Sequence, residues 1–274
     1  MSFIVAHNVG GLGNIMKNIV SCFRLSNNVK VYWENIESFD SKNYHLFSCD
    51  YDSLFSYPEL LENSMIKDNL KCYNDSKLPI SDTDNIPNNF SKFNSKCSKK
   101  YRLPDKYNRN IDFEYNRIPK NVQNIYIDLF KKIKLNKEVE SKIDRFYNEN
   151  MKDKNIIGVH IRSWNRDNEA YRSHLYDIAK FIYYMEQYKE NNYFFVSSDS
   201  QEPIKILKSK FNNIITYNRE SDLHSSRLNT NGLKDDLIEL YLLAKGKMLI
   251  GSHFSTFSEV AWYLAGCPKT IIVS

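Results

Sequence analysis

From residue 151 onward, short apolar runs alternate with segments whose apolar residues recur at helical spacing. The run Ile156-Ile157-Gly158-Val159-His160-Ile161 predicts a buried strand that leads directly into Arg162. A helix is expected around Tyr176–Lys189, with Ile178, Ile182, Met185 and Tyr188 facing inward. Strand Tyr193–Ser197, helix Glu202–Phe211, strand Ile214–Tyr217, helix Asp235–Lys245, strand Met248–Gly251, helix Phe257–Ala265 and strand Thr270–Val273 complete the series. Five strands separated by four helices predict a doubly wound parallel sheet.

The amino-terminal part opens with the same rhythm. Phe3–His7 reads as a strand, Gly10-Gly11-Leu12-Gly13-Asn14 as a tight loop, Ile15–Leu25 as a helix and Val29–Trp33 as a second strand. Between about 35 and 120 the pattern fades. Tyr57-Pro58-Glu59-Leu60-Leu61 reads as the start of a short helix, and the Asn/Ser/Asp/Lys-rich stretch 75–101 as loop. Asn121–Asn150 predicts two helical pieces, with Asn136 between them placed to cap the second. The expected fold class is therefore α/β, with two Rossmann-like domains facing across a cleft: 1–120, a helical connection 121–150, and 151–274.

Composition adds limits rather than identity. Apolar residues form 42% of 274 residues, enough for a substantial core, and the net charge of +5 is spread without a dense Lys/Arg block. Nucleic acid is not expected as a partner. The five cysteines, Cys22, Cys49, Cys72, Cys97 and Cys267, are odd in number and lack metal-ligand spacing, so free thiols in a reducing compartment are expected. No signal peptide is evident at the start and no apolar run approaches the roughly 20 residues of a membrane span. A cytoplasmic location is the expectation.

The candidate chemistry gathers at strand ends. His160 and Arg162 alternate and so share a face. Arginine at the carboxyl end of a parallel strand lies where open α/β sheets bind ligands, and its planar guanidinium grips two phosphate oxygens at once. Arg166 and Asp167 follow as rim candidates. Asp199, after Ser197-Ser198, either accepts from a ribose or base or caps the helix near Gln201. Ser252-His253-Phe254-Ser255-Thr256-Phe257-Ser258 joins a strand to a helix. Its hydroxyls and helix-start N–H groups suit an anion, or Ser255 or Thr256 is an ordinary N-cap. Asp235 and Asp236 are expected to begin a helix, where acids are common. The glycine loop either lets a ligand approach a helix N-terminus or is a plain turn. Asp50-x-Asp52 and Asp82-x-Asp84 match a short acidic metal-binding motif, but with 33 acidic residues such matches arise cheaply. His7, His45, His174, His224 and His253 lack ligand spacing, and no metal site is expected.

Three of these segments, in this order, resemble one family. Gly10-Gly11-Leu12-Gly13-Asn14 is similar to the G-G-L-G-N opening of α-1,2-fucosyltransferases. Val159-His160-Ile161-Arg162 resembles the H-x-R motif shared by α-1,2-, α-1,6- and protein O-fucosyltransferases and by the bacterial nodulation enzymes. Leu249–Leu264, with Ser255-Thr256-Phe257-Ser258 and Ala261-Trp262-Tyr263-Leu264, resembles their last motif. The resemblance implies a GT-B fold and transfer of fucose from GDP-fucose to a glycan or other hydroxyl acceptor, with inversion and without a metal or cofactor. The amino-terminal domain would take the acceptor and the carboxyl-terminal domain the GDP-sugar. It implies Arg162 and Asn14 as catalytic residues. His160, Arg162, Asp199, Asp236, Ser255, Thr256, Phe257, Ser258, Gly11 and Gly13 would bind the donor, with Asp236 or its neighbour Asp235 reading guanine. The chain departs from the pattern after Arg162, where Ser163-Trp164-Asn165 replaces a second basic residue. Another GDP-sugar, or a binding protein without turnover, are the competing readings.

Overall fold

The computed structural model describes residues 3–7, 11–33, 49–62, 72–73, 120–164, 173–221, 223 and 229–273. The chain forms two compact units, Met1–Lys137 with Arg227–Thr230, and Glu138–Ser226 with Asn231–Ser274.

In the first unit, strands β1 (Ile4–Ala6), β2 (Val29–Val31), β4 (Glu59–Leu60) and β5 (Cys72–Tyr73) form a parallel sheet in the order β4-β2-β1-β5. Helix α1 (Leu12–Leu25) connects β1 to β2 and buries Ile15, Met16, Ile19, Val20 and Phe23. It starts three residues before the expected Ile15, because the Ile15 N–H already donates to the Gly11 carbonyl (3.1 Å). Leu12, Gly13 and Asn14 therefore form its first turn rather than a loop, and Gly10 lies outside the described residues. The short helix expected at Tyr57–Leu61 is not formed. Strand β3 (Phe55–Tyr57) and β4 occupy that stretch, and β4 completes a sheet edge that β2 leaves open. Backbone pairing with a neighbouring strand outweighs the local apolar run. Beyond it, β3 pairs antiparallel with β6 (Lys134–Leu135), between helices α2 (Lys120–Phe130) and α3 (Lys137–Asn150). Asn136, placed between those helices, donates its side-chain amide to the Asp52 carbonyl (2.7 Å).

The second unit carries a five-stranded parallel sheet in the order β11-β10-β7-β8-β9, built from β7 (Ile156–Ile161), β8 (Tyr193–Ser198), β9 (Ile214–Ile215), β10 (Met248–Ser252) and β11 (Lys269–Val273). Helices α4 (Ile178–Glu186), α5 (Gln201–Lys210), α6 (Thr230–Leu243) and α7 (Thr256–Leu264) make the crossovers. The first strand in sequence is central, and the chain winds outward from it in both directions. The winding reverses between β7 and β10, which is where doubly wound sheets hold ligands.

Period-two alternation divides β7 between two layers. Ile157, Val159 and Ile161 join Phe181, Met185, Ile204 and Leu207 in one core. Gly158 and His160 face the other way. A Cβ on Gly158 would stand 2.8 Å from the Leu243 carbonyl oxygen of α6, so glycine is required there for the helix end to lie against the strand. Helix α6 begins five residues earlier than expected, because its first turn, Thr230–Gly232, is polar and carries no apolar period. Asp235 and Asp236 consequently lie beyond the first turn instead of opening the helix.

Candidate functional site

Where β7 ends, a single hydroxyl ties two strands together. Ser252 Oγ of β10 accepts from the Arg162 N–H (2.7 Å) and donates to the His160 carbonyl (3.2 Å). The Arg162 guanidinium has Nη1 3.1 Å from Asp199 Oδ2, and its Cζ lies 5.1 Å from the centre of the Trp164 ring. Asp199 does not cap α5, the alternative its position after β8 left open. Its Oδ1 accepts from the Ser163 N–H (2.7 Å) and the Ser163 hydroxyl (2.8 Å), while Ser200 caps the helix by accepting from the Glu202 N–H. The carboxylate thus grips two successive residues of the segment leaving β7. Arg166 and Asp167 lie outside the described residues.

His160 is sealed against the start of α7. Its Nδ1 is 2.7 Å from Ser258 Oγ and 3.4 Å from Ser255 Oγ, and its ring stacks on Phe257 at 4.8 Å between centroids. Burial, the largest influence, drives its pKa down to about 3, so the imidazole is neutral. Ser255 is the N-cap of α7, accepting from the Ser258 N–H. Of the four residues expected to line a donor, Ser255 and Ser258 are buried around the imidazole, and Thr256 and Phe257 are half-exposed. The Arg162 and Ser255–Ser258 segments come from β7 and β10, neighbours at the switch point.

The acidic residues separate into two roles. Asp235 Oδ2 accepts from the Glu220 N–H (2.9 Å), the Ser221 N–H (3.0 Å) and the Ser221 hydroxyl (3.0 Å), and so fixes the loop after β9. Asp236 Oδ1 pairs with Arg219 Nη2 at 2.7 Å, and Arg219 Nη1 reaches Glu239 Oε2 at 3.0 Å. Glu239 also accepts from Ser197 Oγ (2.8 Å), and burial pushes its pKa up to about 7 against the pull of Arg219 and Ser197. Arg219 and Glu239 were not singled out from sequence. The signal was available: Glu239 follows Asp235 and Asp236 at i+4 and i+3, one face of a helix.

Asn14, Gly11 and Gly13 sit at the beginning of α1 in the first unit. Gly11 occupies the N-cap position in extended conformation, with no side-chain cap. Of the short acidic motifs, Asp50 is the N-cap of a 3-10 turn that contains Asp52, whereas Asp82 and Asp84 lie outside the described residues. Among the described residues no cluster of His, Cys, Asp or Glu could hold a metal ion, Cys22, Cys49 and Cys267 are buried, and no helix is long and apolar enough to cross a membrane.

The profile of the family described as Nodulation protein Z (NodZ) matches residues 120–267, more than half of the chain. The chain belongs to the NodZ family. It is a glycosyltransferase of the fucosyltransferase superfamily, with the GT-B fold. The NodZ match contains every candidate of the second unit, from His160 to Ser258, while Gly11, Gly13 and Asn14 precede it. Among solved structures, the chain is similar to a NodZ α-1,6-fucosyltransferase soaked with GDP-fucose (16% identity, covering 96% of this chain and 92% of that one, TM-score 0.55). It is also similar to fucosyltransferase NodZ from Bradyrhizobium (16% identity, 94% and 91%, TM-score 0.54). A FUT1 mutant of Arabidopsis thaliana in complex with GDP matches at 16% identity over 98% of this chain and 69% of that one, with a TM-score of 0.57. No curated protein matches in sequence.

Proposed function

We propose that the protein transfers fucose from GDP-fucose to a hydroxyl of a glycan or other acceptor, with inversion at the anomeric carbon and without a metal ion. The observation that carries this reading is that Arg162 follows β7 and the amino end of α7 follows β10, neighbouring parallel strands at the switch point of the second sheet. Both features favour a diphosphate. The second unit would then hold the donor and the first the acceptor.

Transfer builds negative charge on the departing β-phosphate. Arg162, held in advance by Asp199, would meet that charge without reorganising. Its fixed positive charge and the helix amides supply what a divalent cation otherwise would. Thr256 and Phe257 would line the phosphates and ribose. Neutral His160 would keep the Ser255–Ser258 turn in shape and add no competing charge. Asp235 is committed to its own loop, so guanine recognition falls to Asp236, whose second oxygen would accept from guanine N–H groups. Asn14 would be the first unit's catalytic residue, with Gly11 and Gly13 beside it as donor-binding positions. The buried thiols fit a reducing, cytoplasmic setting.

Calorimetric titration with GDP, GDP-fucose, GDP-mannose and UDP-sugars in EDTA, on the wild type and Arg162→Ala, tests this. Binding confined to guanine nucleotides, with GDP-fucose preferred and the arginine required, is expected. Equal affinity for UDP-sugars, or binding indifferent to Arg162, would overturn it. Guanine-nucleotide binding with no transfer to any glycan would favour a binding protein, a reading supported by Ser163 standing where relatives carry a second basic residue.

A further inference from the structure

Trp164 is two residues beyond the strand end, is 3% exposed and has φ of +57°. An aromatic residue rarely adopts left-handed backbone, and its persistence in the fold calls for a contact that the turned chain makes possible. That contact is with Arg162. The turn brings the indole back beneath the guanidinium, whose Cζ is 5.1 Å from the ring centre. Arg162 is thereby held from two sides, by the Asp199 carboxylate at Nη1 and by the indole ring over which its Cζ lies. The two grips share an anchor: Asp199 also fixes Ser163, the residue that joins Arg162 to Trp164. Lysine could meet both groups as a point charge, but it has no plane to stack and no fork to orient.

We propose that Trp164 is a positioning residue for donor binding: its ring sets the plane of the Arg162 guanidinium so that the fork faces the diphosphate. A fixed plane gives a single arginine bidentate geometry toward two oxygens. The inference rests on the donor site proposed above. It assigns to Trp164 an effect transmitted wholly through Arg162.

The test compares Trp164→Leu and Trp164→Tyr for GDP and GMP binding, each also in an Arg162→Ala background, with thermal unfolding as a control for folding. Trp164→Leu should weaken GDP roughly tenfold, the scale of a partly desolvated cation–π contact. GMP should change much less, and Trp164→Tyr should restore most of the loss. In the Arg162→Ala background, Trp164→Leu should have no further effect. A folded Trp164→Leu protein that binds GDP like the wild type, or an equal loss with and without Arg162, would overturn the proposal. Should Trp164→Leu not fold, fluorinated tryptophans, which drain the ring face without reshaping it, take its place. They should weaken GDP stepwise in the wild type and leave Trp164→Tyr protein unaffected, and an indifferent wild type would overturn the proposal. A wild type that binds no guanine nucleotide removes the donor reading and this inference with it. A wild type that binds GDP while the tryptophan series is flat removes this inference alone.

Discussion

His160 on β7 and Ser258 on α7 meet at 2.7 Å across 98 residues of sequence. The contact locks the most central strand of the sheet to the helix that begins beside it. Burial keeps the imidazole in that contact neutral.

This neutrality has a pH signature. Burial holds the His160 pKa near 3, against 6.5 in the unfolded chain. Below 6.5 the unfolded state takes up a proton that the folded state refuses. The stability owed to this site is complete above pH 6.5 and is lost as pH falls toward 3. Melting temperature measured against pH should drop more steeply for the wild type than for His160→Gln over that window. Parallel curves would show that another group governs acid sensitivity.

Glu239 acts in the opposite sense. Burial raises its pKa from 4.5 to about 7, so the folded protein retains a proton that the unfolded chain releases. Its contribution is present below 4.5 and declines as pH rises through 7. Replacing it as Glu239→Gln should flatten the stability curve between those limits, and an unchanged slope would assign the carboxylate its ordinary ionisation.

Arg219 is the shared counter-ion of Asp236 and Glu239. Removing one partner of a buried ionic cluster leaves charge uncompensated, so Arg219→Ala should destabilise by about 3–5 kcal/mol. Arg219→Ala combined with Glu239→Gln should recover part of that loss in urea unfolding. Strict additivity of the two changes would mean that they do not share a network.

Asp199→Ala should release Ser163 and Arg162 together, lowering kcat/KM for the donor at least tenfold, about 1.4 kcal/mol or more. Asp199→Asn keeps an acceptor for Ser163 and should lose less. Equal losses in steady-state assays would leave the charge on Arg162, rather than the hold on the loop, as what matters.

Gly158→Ala tests the architecture two residues before His160. Its new Cβ would collide with the Leu243 carbonyl, a backbone atom that cannot swing aside. A cost of about 1–3 kcal/mol in chemical unfolding is expected, and wild-type stability would refute the close approach of α6.

The readable parts of the sequence were those with a single dominant signal. An unbroken apolar run ending in His160 and Arg162 marked β7, and strand–helix alternation marked the parallel sheet. Asp199 read as a ribose or base acceptor or as a helix cap, and its clamp on Ser163, 36 positions away, was hidden because it calls for the same short acid at the same place. Chain geometry alone decides between them. The start of α6 was hidden because Thr230–Gly232 carries no apolar period, and this displaced Asp235 and Asp236 in the reading. Arg219 escaped because a buried cation is recognisable only beside its partners, and Glu239 carried no signal beyond its helical spacing from Asp235 and Asp236. The part played by Trp164 was hidden because its backbone conformation leaves no trace in sequence.

The hydroxyl of Ser252 touches both the amide of Arg162 and the carbonyl of His160, so one oxygen atom of β10 stitches the end of β7, with the imidazole and the arginine proposed to face the phosphates, to its neighbour. Affinity and durability are consequently not separate traits of this protein. A lineage that altered position 252 to retune its nucleotide would loosen the sheet in the same stroke, which makes this serine a poor place for evolution to experiment and a sensitive one for an engineer to avoid.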